Sequence, residues 1–188
     1  LKVEGDATAA SYAASLACIH KGKVTFTNLG NSSLQGDYQY LEILKQLGAK
    51  ITATESTTTV TGPKQLMTLK SIDMKEMPDT ALTLIAFAPL LEDEITISGL
   101  SSLHHKECDR LECPAAEMVK MGIAVETTNE TITIRSAATD KIKGLVLSTY
   151  HDHRMAMAFS LIGSVTGKLT IDDQSVVNKT YPNFWKDY

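Results

Sequence analysis

The sequence predicts an α/β fold with reversed layering, its helices buried and its sheets outside. Three observations predict it. Segments of similar local grammar begin at Asp6, Asp79 and Asp152, and 79 − 6 and 152 − 79 both equal 73, which marks an internal repeat. The stretches 9–19, 81–91 and 155–165 are apolar nearly all round and rich in small residues, the pattern of a buried helix. The strands instead alternate, as in Val-Thr-Phe-Thr at 24–27 and Thr-Ile-Thr-Ile at 131–134, which leaves one sheet face to water.

The elements follow in order. In the first copy a helix over 9–19 leads to a Thr-rich strand over 24–29. A helical pattern over 34–47 then stops at Gly48, and strands 50–54 and 58–61 are joined by a tight polar turn. The second copy has a helix over 81–91 and a strand over 95–100. A second helix over 108–121 stops at Gly122, and strands 124–128 and 131–135 turn at Asn129-Glu130. The third copy has a helix over 155–165, a strand over 169–173 and a closing segment 179–188 with no hairpin after it. Each unit reads as strand, helix, strand, helix and hairpin. No Pro/Ser-rich linker or low-complexity tract interrupts the chain, so one domain is expected over 1–188.

Composition excludes several classes. The 188 residues are 43% hydrophobic and 21% charged, which is globular rather than disordered. A net charge of −4 provides no basic excess for binding nucleic acid or an anionic membrane. The longest apolar run, 81–91, is too short to span a bilayer, and no secretory signal opens the chain. Three cysteines without framework spacing fit free thiols in a reducing compartment, so a cytoplasmic location is expected. The chain starts at Leu1 rather than at a methionine, as a piece of a longer protein would.

Acid, base and cation candidates cluster at the edges of the buried helices. They are Asp79 after Pro78, the run Lys106-Glu107-Cys108-Asp109-Arg110, the run His151-Asp152-His153-Arg154, and Lys179. Two of the three arginines, Arg110 and Arg154, stand beside expected helix starts, where unpaired N–H groups and the helix dipole attract anions. A guanidinium fork added there suits a phosphate or carboxylate. Convergence of these helix starts would make an anionic small-molecule site with carboxylates placed for proton transfer. Plainer roles stay open: Asp79 as an N-cap, Glu107 as a complement to a helix dipole, Lys179 as a solvated surface lysine. The histidines and cysteines lack the spacing of a zinc site, and no base is paired with Cys108 for nucleophilic catalysis.

Six motifs occur in order: Val3-Glu-Gly-Asp-Ala-Thr-Ala-Ala-Ser-Tyr12, Asn31-Ser-Ser-Leu-Gln-Gly-Asp37, Pro78-Asp79, Lys106-Glu-Cys-Asp-Arg110, Asp152-His-Arg-Met-Ala-Met157 and Lys179-Thr-Tyr-Pro182. Together they resemble the 5-enolpyruvylshikimate-3-phosphate synthase family over essentially the whole chain. That resemblance implies an enolpyruvyl transferase-like fold of two domains, each of three βαβαββ units. It implies transfer of enolpyruvate from phosphoenolpyruvate to the 5-hydroxyl of shikimate 3-phosphate, with release of phosphate and without metal or organic cofactor. Asp79 then matches the carboxylate that takes the 5-hydroxyl proton, and Glu107 the acid near the phosphoenolpyruvate methylene. Lys106 matches a lysine on shikimate 3-phosphate. Arg110, Arg154 and Lys179 match cations around phosphoenolpyruvate, and His153 a histidine beside that arginine.

Some positions depart from the family. Cys108 stands where many members have Thr, Ser102 where some place an asparagine on the substrate phosphate, and His151 where Asn or Asp is usual. The other domain's Lys-Ser…Arg motif, Gly-Asn-Ala-Gly-Thr loop and Ser-Ser-Gln segment do not occur here. The resemblance therefore implies the C-terminal half of the enzyme, whose partner is the N-terminal domain and whose first strand comes from upstream of Leu1. Little or no turnover is expected from it alone. Two other readings compete: a non-catalytic anion-binding module, which Asp79 and Glu107 argue against, and transfer to a UDP-sugar, whose enzyme lacks the Asp152–Met157 run.

Overall fold

The computed structural model describes residues 3–188, so Leu1 and Lys2 of the expected span lie outside it. The chain divides into two compact units, one ending at Thr68 and one running Leu69–Tyr188.

The first unit contains α1 (Ala7–Ile19), β1 (Lys23–Thr27), α2 (Tyr40–Gln46), β2 (Lys50–Ala53) and β3 (Thr57–Thr61). Its antiparallel sheet runs β1-β3-β2. Along β3, Thr58 and Val60 are buried and the residues between them are half-exposed, the alternation expected of a sheet with one wet face. On that outer face the Thr25 and Thr59 hydroxyls meet at 2.9 Å across the ladder.

The second helix begins later than its apolar pattern suggests. Residues Gly36–Gln39 form a 3₁₀ turn, and α2 starts only at Tyr40. The reason lies in the side chains of the Asn31–Asp37 motif. Gln35 accepts the Ala7 N–H at 2.8 Å and donates to the Gly5 carbonyl at 2.7 Å, while the Thr8 hydroxyl donates to Asp37. These bonds satisfy the open start of α1 and hold 35–37 out of a regular helix. The expected stop is met, with Gly48 in the left-handed region at φ +97°.

The second unit contains β4 (Ser71–Asp73), α3 (Pro78–Phe87), β5 (Ile95–Ser98), α4 (Glu112–Lys120), β6 (Val125–Thr127), β7 (Ile132–Ile134), β8 (Leu145–Leu147), α5 (His153–Thr166), β9 (Leu169–Ile171) and α6 (Phe184–Asp187). One sheet runs β4-β5-β7-β6, with β4 and β5 parallel and connected through α3; β8 and β9 form a second parallel pair connected through α5. The span from β4 to β7 is one complete βαβαββ unit.

Helices α3 and α5 are inside, as expected, whereas α1 leaves Ala9, Ala10, Ala13 and Leu16 half-exposed. Every residue from 80 to 87 in α3 and from 155 to 162 in α5 is buried, and the two helices pack together. Burying Leu82, Leu84, Ile85 and Phe87 contributes about 1.5–3 kcal/mol each. The hairpins repeat as well: Thr54 and Thr57 close the first turn through their hydroxyls at 2.7 Å, and Thr128 and Thr131 close the second at 2.8 Å.

A C-terminal aromatic cluster secures the last segment. Phe184 packs against Tyr181, Trp185 and Tyr188, the Trp185 Nε1–H donates to the Gln174 carbonyl, and the Tyr188 hydroxyl donates to the Ser160 carbonyl on α5. This anchors the 3₁₀ turn Gln174–Lys179 and thereby Lys179. Among the described residues, no helix is long and apolar enough to cross a membrane.

Candidate functional site

The three equally spaced aspartates do not share one role. Asp6 caps α1 by accepting the Ala9 N–H at 3.1 Å, and Asp152 caps α5 by accepting the Arg154 N–H at 2.8 Å. In α3, Met77 is the N-cap and Pro78 takes the first helical position, so Asp79 falls inside the first turn. Its side chain makes no cap. One oxygen pairs with Lys106 at 3.0 Å and Arg110 at 3.1 Å, the other with Arg154 at 3.3 Å. Burial pushes the Asp79 carboxyl up, but the Arg154, Lys106 and Arg110 charges outweigh it and leave the group below its usual range.

Arg110 is the hub. Its side chain is 2% exposed, and its Nε and Nη2 bind both oxygens of the fully buried Asp152 at 2.7 and 3.2 Å. Nη1 reaches Asp79, and Nη2 also reaches Glu107 at 2.6 Å. One planar fork thus holds three carboxylates, a geometry a lysine cannot reproduce.

The segment carrying Lys106–Arg110 is not the start of a helix, contrary to the expected 108–121. Asp109 Oδ1 accepts the N–H groups of Leu111 and Glu112, both at 3.0 Å, and α4 begins at Glu112. The bend leaves Glu107 free of helical geometry to face Lys179 at 2.5 Å and Arg110. The Lys179 hydrogen bond lowers the Glu107 carboxyl most; burial opposes it, and with the remaining contacts the pKa is about 2. Lys106 follows the 3₁₀ turn Ser101–His105 and Lys179 ends the turn Gln174–Lys179; 179 − 106 is again 73, so the two lysines are repeat equivalents.

His104 locks this bend. Its Nδ1 meets Asp109 Oδ2 at 2.8 Å and its Nε2 meets the Asn129 carbonyl at 2.9 Å. Both partners are acceptors, so only the imidazolium satisfies both, and its pKa is raised, first by Asp109 and next by Asn129. A raised folded pKa contributes stability fully present below the unfolded value of about 6.5 and lost as pH rises through the folded value. The wild-type chain is therefore expected to lose melting temperature above pH 6.5 relative to His104→Gln. Parallel pH profiles for the two would refute the clamp.

An open cleft of about 370 Å³ is lined by Asp79, His105, Lys106, Glu107, Arg110 and Arg154. Lys179 joins it through Glu107. His153 lies behind it, buried beside Asp152 at 3.5 Å, beyond hydrogen-bonding distance; burial is the main cause that holds its pKa below the usual value. Ser102 is exposed on its turn and does not line the cleft. The Cys108 thiol points at Asp152 at 3.5 Å, and burial, then that charge, push its pKa up, which opposes a nucleophilic role. Among the described residues, no three His, Cys, Asp or Glu side chains are grouped to hold a metal ion.

Lys106, Arg110, Arg154 and Lys179 face Asp79, Glu107 and Asp152, leaving the cluster one positive charge in excess. Such a site can bind an anion and offers two partly exposed carboxylates, Asp79 and Glu107, for proton transfer. A family model of EPSP synthase (3-phosphoshikimate 1-carboxyvinyltransferase) matches residues 1–188. The chain belongs to the EPSP synthase family.

Relatives agree. The chain is 38% identical to the 3-phosphoshikimate 1-carboxyvinyltransferase of Methanosphaerula palustris over 97% of its own length and 42% of that protein's. It is 39% identical to 3-phosphoshikimate 1-carboxyvinyltransferase 2 of Nicotiana tabacum, over 97% of its length and 55% of the relative's. The EPSP synthase structure from Acinetobacter baumannii superimposes with a TM-score of 0.81 at 26% identity, covering 98% of this chain and 45% of that one. The chain thus spans about half the length of the EPSP synthases it matches, and its fold is enolpyruvyl transferase-like.

The sequence marks Asp152 as a repeat position and a candidate acid but does not show that it grips Arg110, and only adjacency to Lys106 signals that His105 lines the cleft.

Proposed function

We propose that residues 1–188 act as the C-terminal domain of a two-domain EPSP synthase and supply half of its active site. The reaction joins phosphoenolpyruvate to the 5-hydroxyl of shikimate 3-phosphate and releases phosphate. The observation that carries this reading is the cleft at Arg110, where four cations surround two partly exposed carboxylates. Asp79 takes the 5-hydroxyl proton, Glu107 exchanges the methylene proton, and Lys106 contacts shikimate 3-phosphate. Arg110, Arg154 and Lys179 hold phosphoenolpyruvate, His153 supports Arg154 from behind, and Ser102 is the weakest of the assigned contacts because of its exposure.

Charge arithmetic supports a divided site. Each substrate carries a carboxylate and a phosphate, and a net excess of one positive charge here does not offset two such anions. The N-terminal domain therefore supplies the remaining cations. Neither metal nor organic cofactor is required. Three free thiols suit a reducing compartment such as the cytoplasm.

The test is phosphate release from phosphoenolpyruvate in the presence of shikimate 3-phosphate, using this chain alone and mixed with the N-terminal half of a full-length relative. Turnover is expected only on mixing. Ligand binding by the mixture without turnover would favour a non-catalytic anion-binding module instead.

A further inference from the structure

Among the described residues two carboxylates are fully buried: Asp152 within the site and Glu117 outside it. Glu117 projects from α4. Its Oε1 accepts from the Tyr150 hydroxyl at 2.7 Å and from Lys120 at 2.5 Å, and its Oε2 accepts the Ser148 N–H at 3.3 Å. Two of these three donors belong to the turn between β8 and α5. From another side Asp172 accepts the Thr149 N–H at 3.0 Å and the Ser148 hydroxyl at 3.2 Å.

That turn has an uncommon backbone. Tyr150 and His151 both lie in the left-handed region, with φ of 51° and 59°. Consecutive non-glycine residues hold this conformation only where surrounding contacts over-determine it, and such places cluster at functional sites. The reversal delivers the Asp152 N–H to the Thr149 carbonyl at 2.8 Å. It also sets the Asp152 carboxylate to cap α5 and grip Arg110, with Arg154 two residues on reaching Asp79.

We infer that Glu117 and Tyr150 form a positioning pair, which locks the left-handed turn so that Asp152 and Arg154 meet the anion cleft in register. Neither residue lines the cleft, so the pair acts through its neighbours. The inference rests on the assignment of Arg154 to phosphoenolpyruvate made above. Lys120, 56% exposed and on the same helix, shares Oε1 with the Tyr150 hydroxyl and offsets the buried charge, while Oε2 is left to the Ser148 N–H.

The experiment uses the chain mixed with the complementary half, with Tyr150→Phe and Glu117→Gln as separate and combined variants. Tyr150→Phe is expected to weaken phosphoenolpyruvate binding about tenfold to a hundredfold through loss of register. Shikimate 3-phosphate affinity should stay within about twofold, and the double variant should be no worse than the poorer single one. Equal weakening of both ligands alongside a fall in melting temperature would reduce the pair to a structural role and overturn the inference. Multiplying effects of the two substitutions would overturn the pairing. A crystal structure of Tyr150→Phe serves as a second readout that needs no ligand. The turn should leave the left-handed region and the 3.3 Å Arg154–Asp79 contact should open; an unchanged turn would overturn the inference. Failure of the unsubstituted mixture to bind either substrate, with this turn still altered in the variant, would count against the function and not against the pair.

Discussion

Arg110→Ala is expected to lower the unfolding free energy by about 3–5 kcal/mol, the effect of leaving a buried charge without its partner. Asp152 is fully buried, and the Arg110 fork binds both of its oxygens. Removing the guanidinium also leaves Asp79 and Glu107 with fewer cations, although both reach solvent and contribute less. Since a domain's whole stability is about 5–15 kcal/mol, such a loss would be plain in urea denaturation. Arg110→Lys should recover little of it, because an ammonium cannot span both Asp152 oxygens. Arg110→Ala with Asp152→Ala should cost less than the sum of the two single substitutions, the sign of a direct pair. Additive costs would show that the fork contributes no coupling.

Glu107→Gln is expected to lower the turnover of the reconstituted enzyme about 10²–10⁴-fold, the usual worth of a positioned general acid or base, with phosphoenolpyruvate affinity retained. The ligand-free geometry adds a condition. With Lys179 at 2.5 Å and a pKa of about 2, Glu107 is ionised and can accept a proton but not deliver one. An anion that draws the Lys179 ammonium away removes the largest cause of that depression, so the carboxyl rises toward the pH at which it must give up a proton. Lys179→Ala should accordingly raise the Glu107 pKa in the free chain, measurable by carboxyl NMR titration; an unmoved pKa would sink the coupling. The stability linkage has the matching sign. A depressed carboxyl contributes stability above its ordinary pKa of 4.5 and loses it as pH falls toward about 2, and Lys179→Ala should flatten that acid limb.

The repeat of 73 residues, the helix stretches around 81–91 and 155–165, the stops at Gly48 and Gly122 and the turn at Asn129-Glu130 were all readable in the sequence. Each is local: periodicity, a small residue with a left-handed backbone, a hairpin signal. Side-chain competition with the backbone hid the true starts of α2 and α4. Gln35 and Asp37 secure α1, and Asp109 claims the first N–H groups of α4, so both helices begin later than their apolar patterns suggest.

Asp79 illustrates the rest. Its spacing from Asp6 and Asp152 is equal, and Pro78 before it fits a helix start, so an N-cap and a chemical carboxylate were equally consistent. Tertiary structure decided between them. Pro78 holds the first helical position and moves Asp79 into the turn, where Lys106 and Arg110 from one segment and Arg154 from α5 converge.

By itself the sequence determined the fold class, the repeat and which residue types carry charge near the buried helices, because those follow from periodicity and composition along the chain. Only tertiary structure decided which carboxylate each cation holds, and that Arg110 binds three of them while Glu117 grips a turn 31 positions away. Pairing energies depend on distance and burial in space, and a one-dimensional pattern encodes neither.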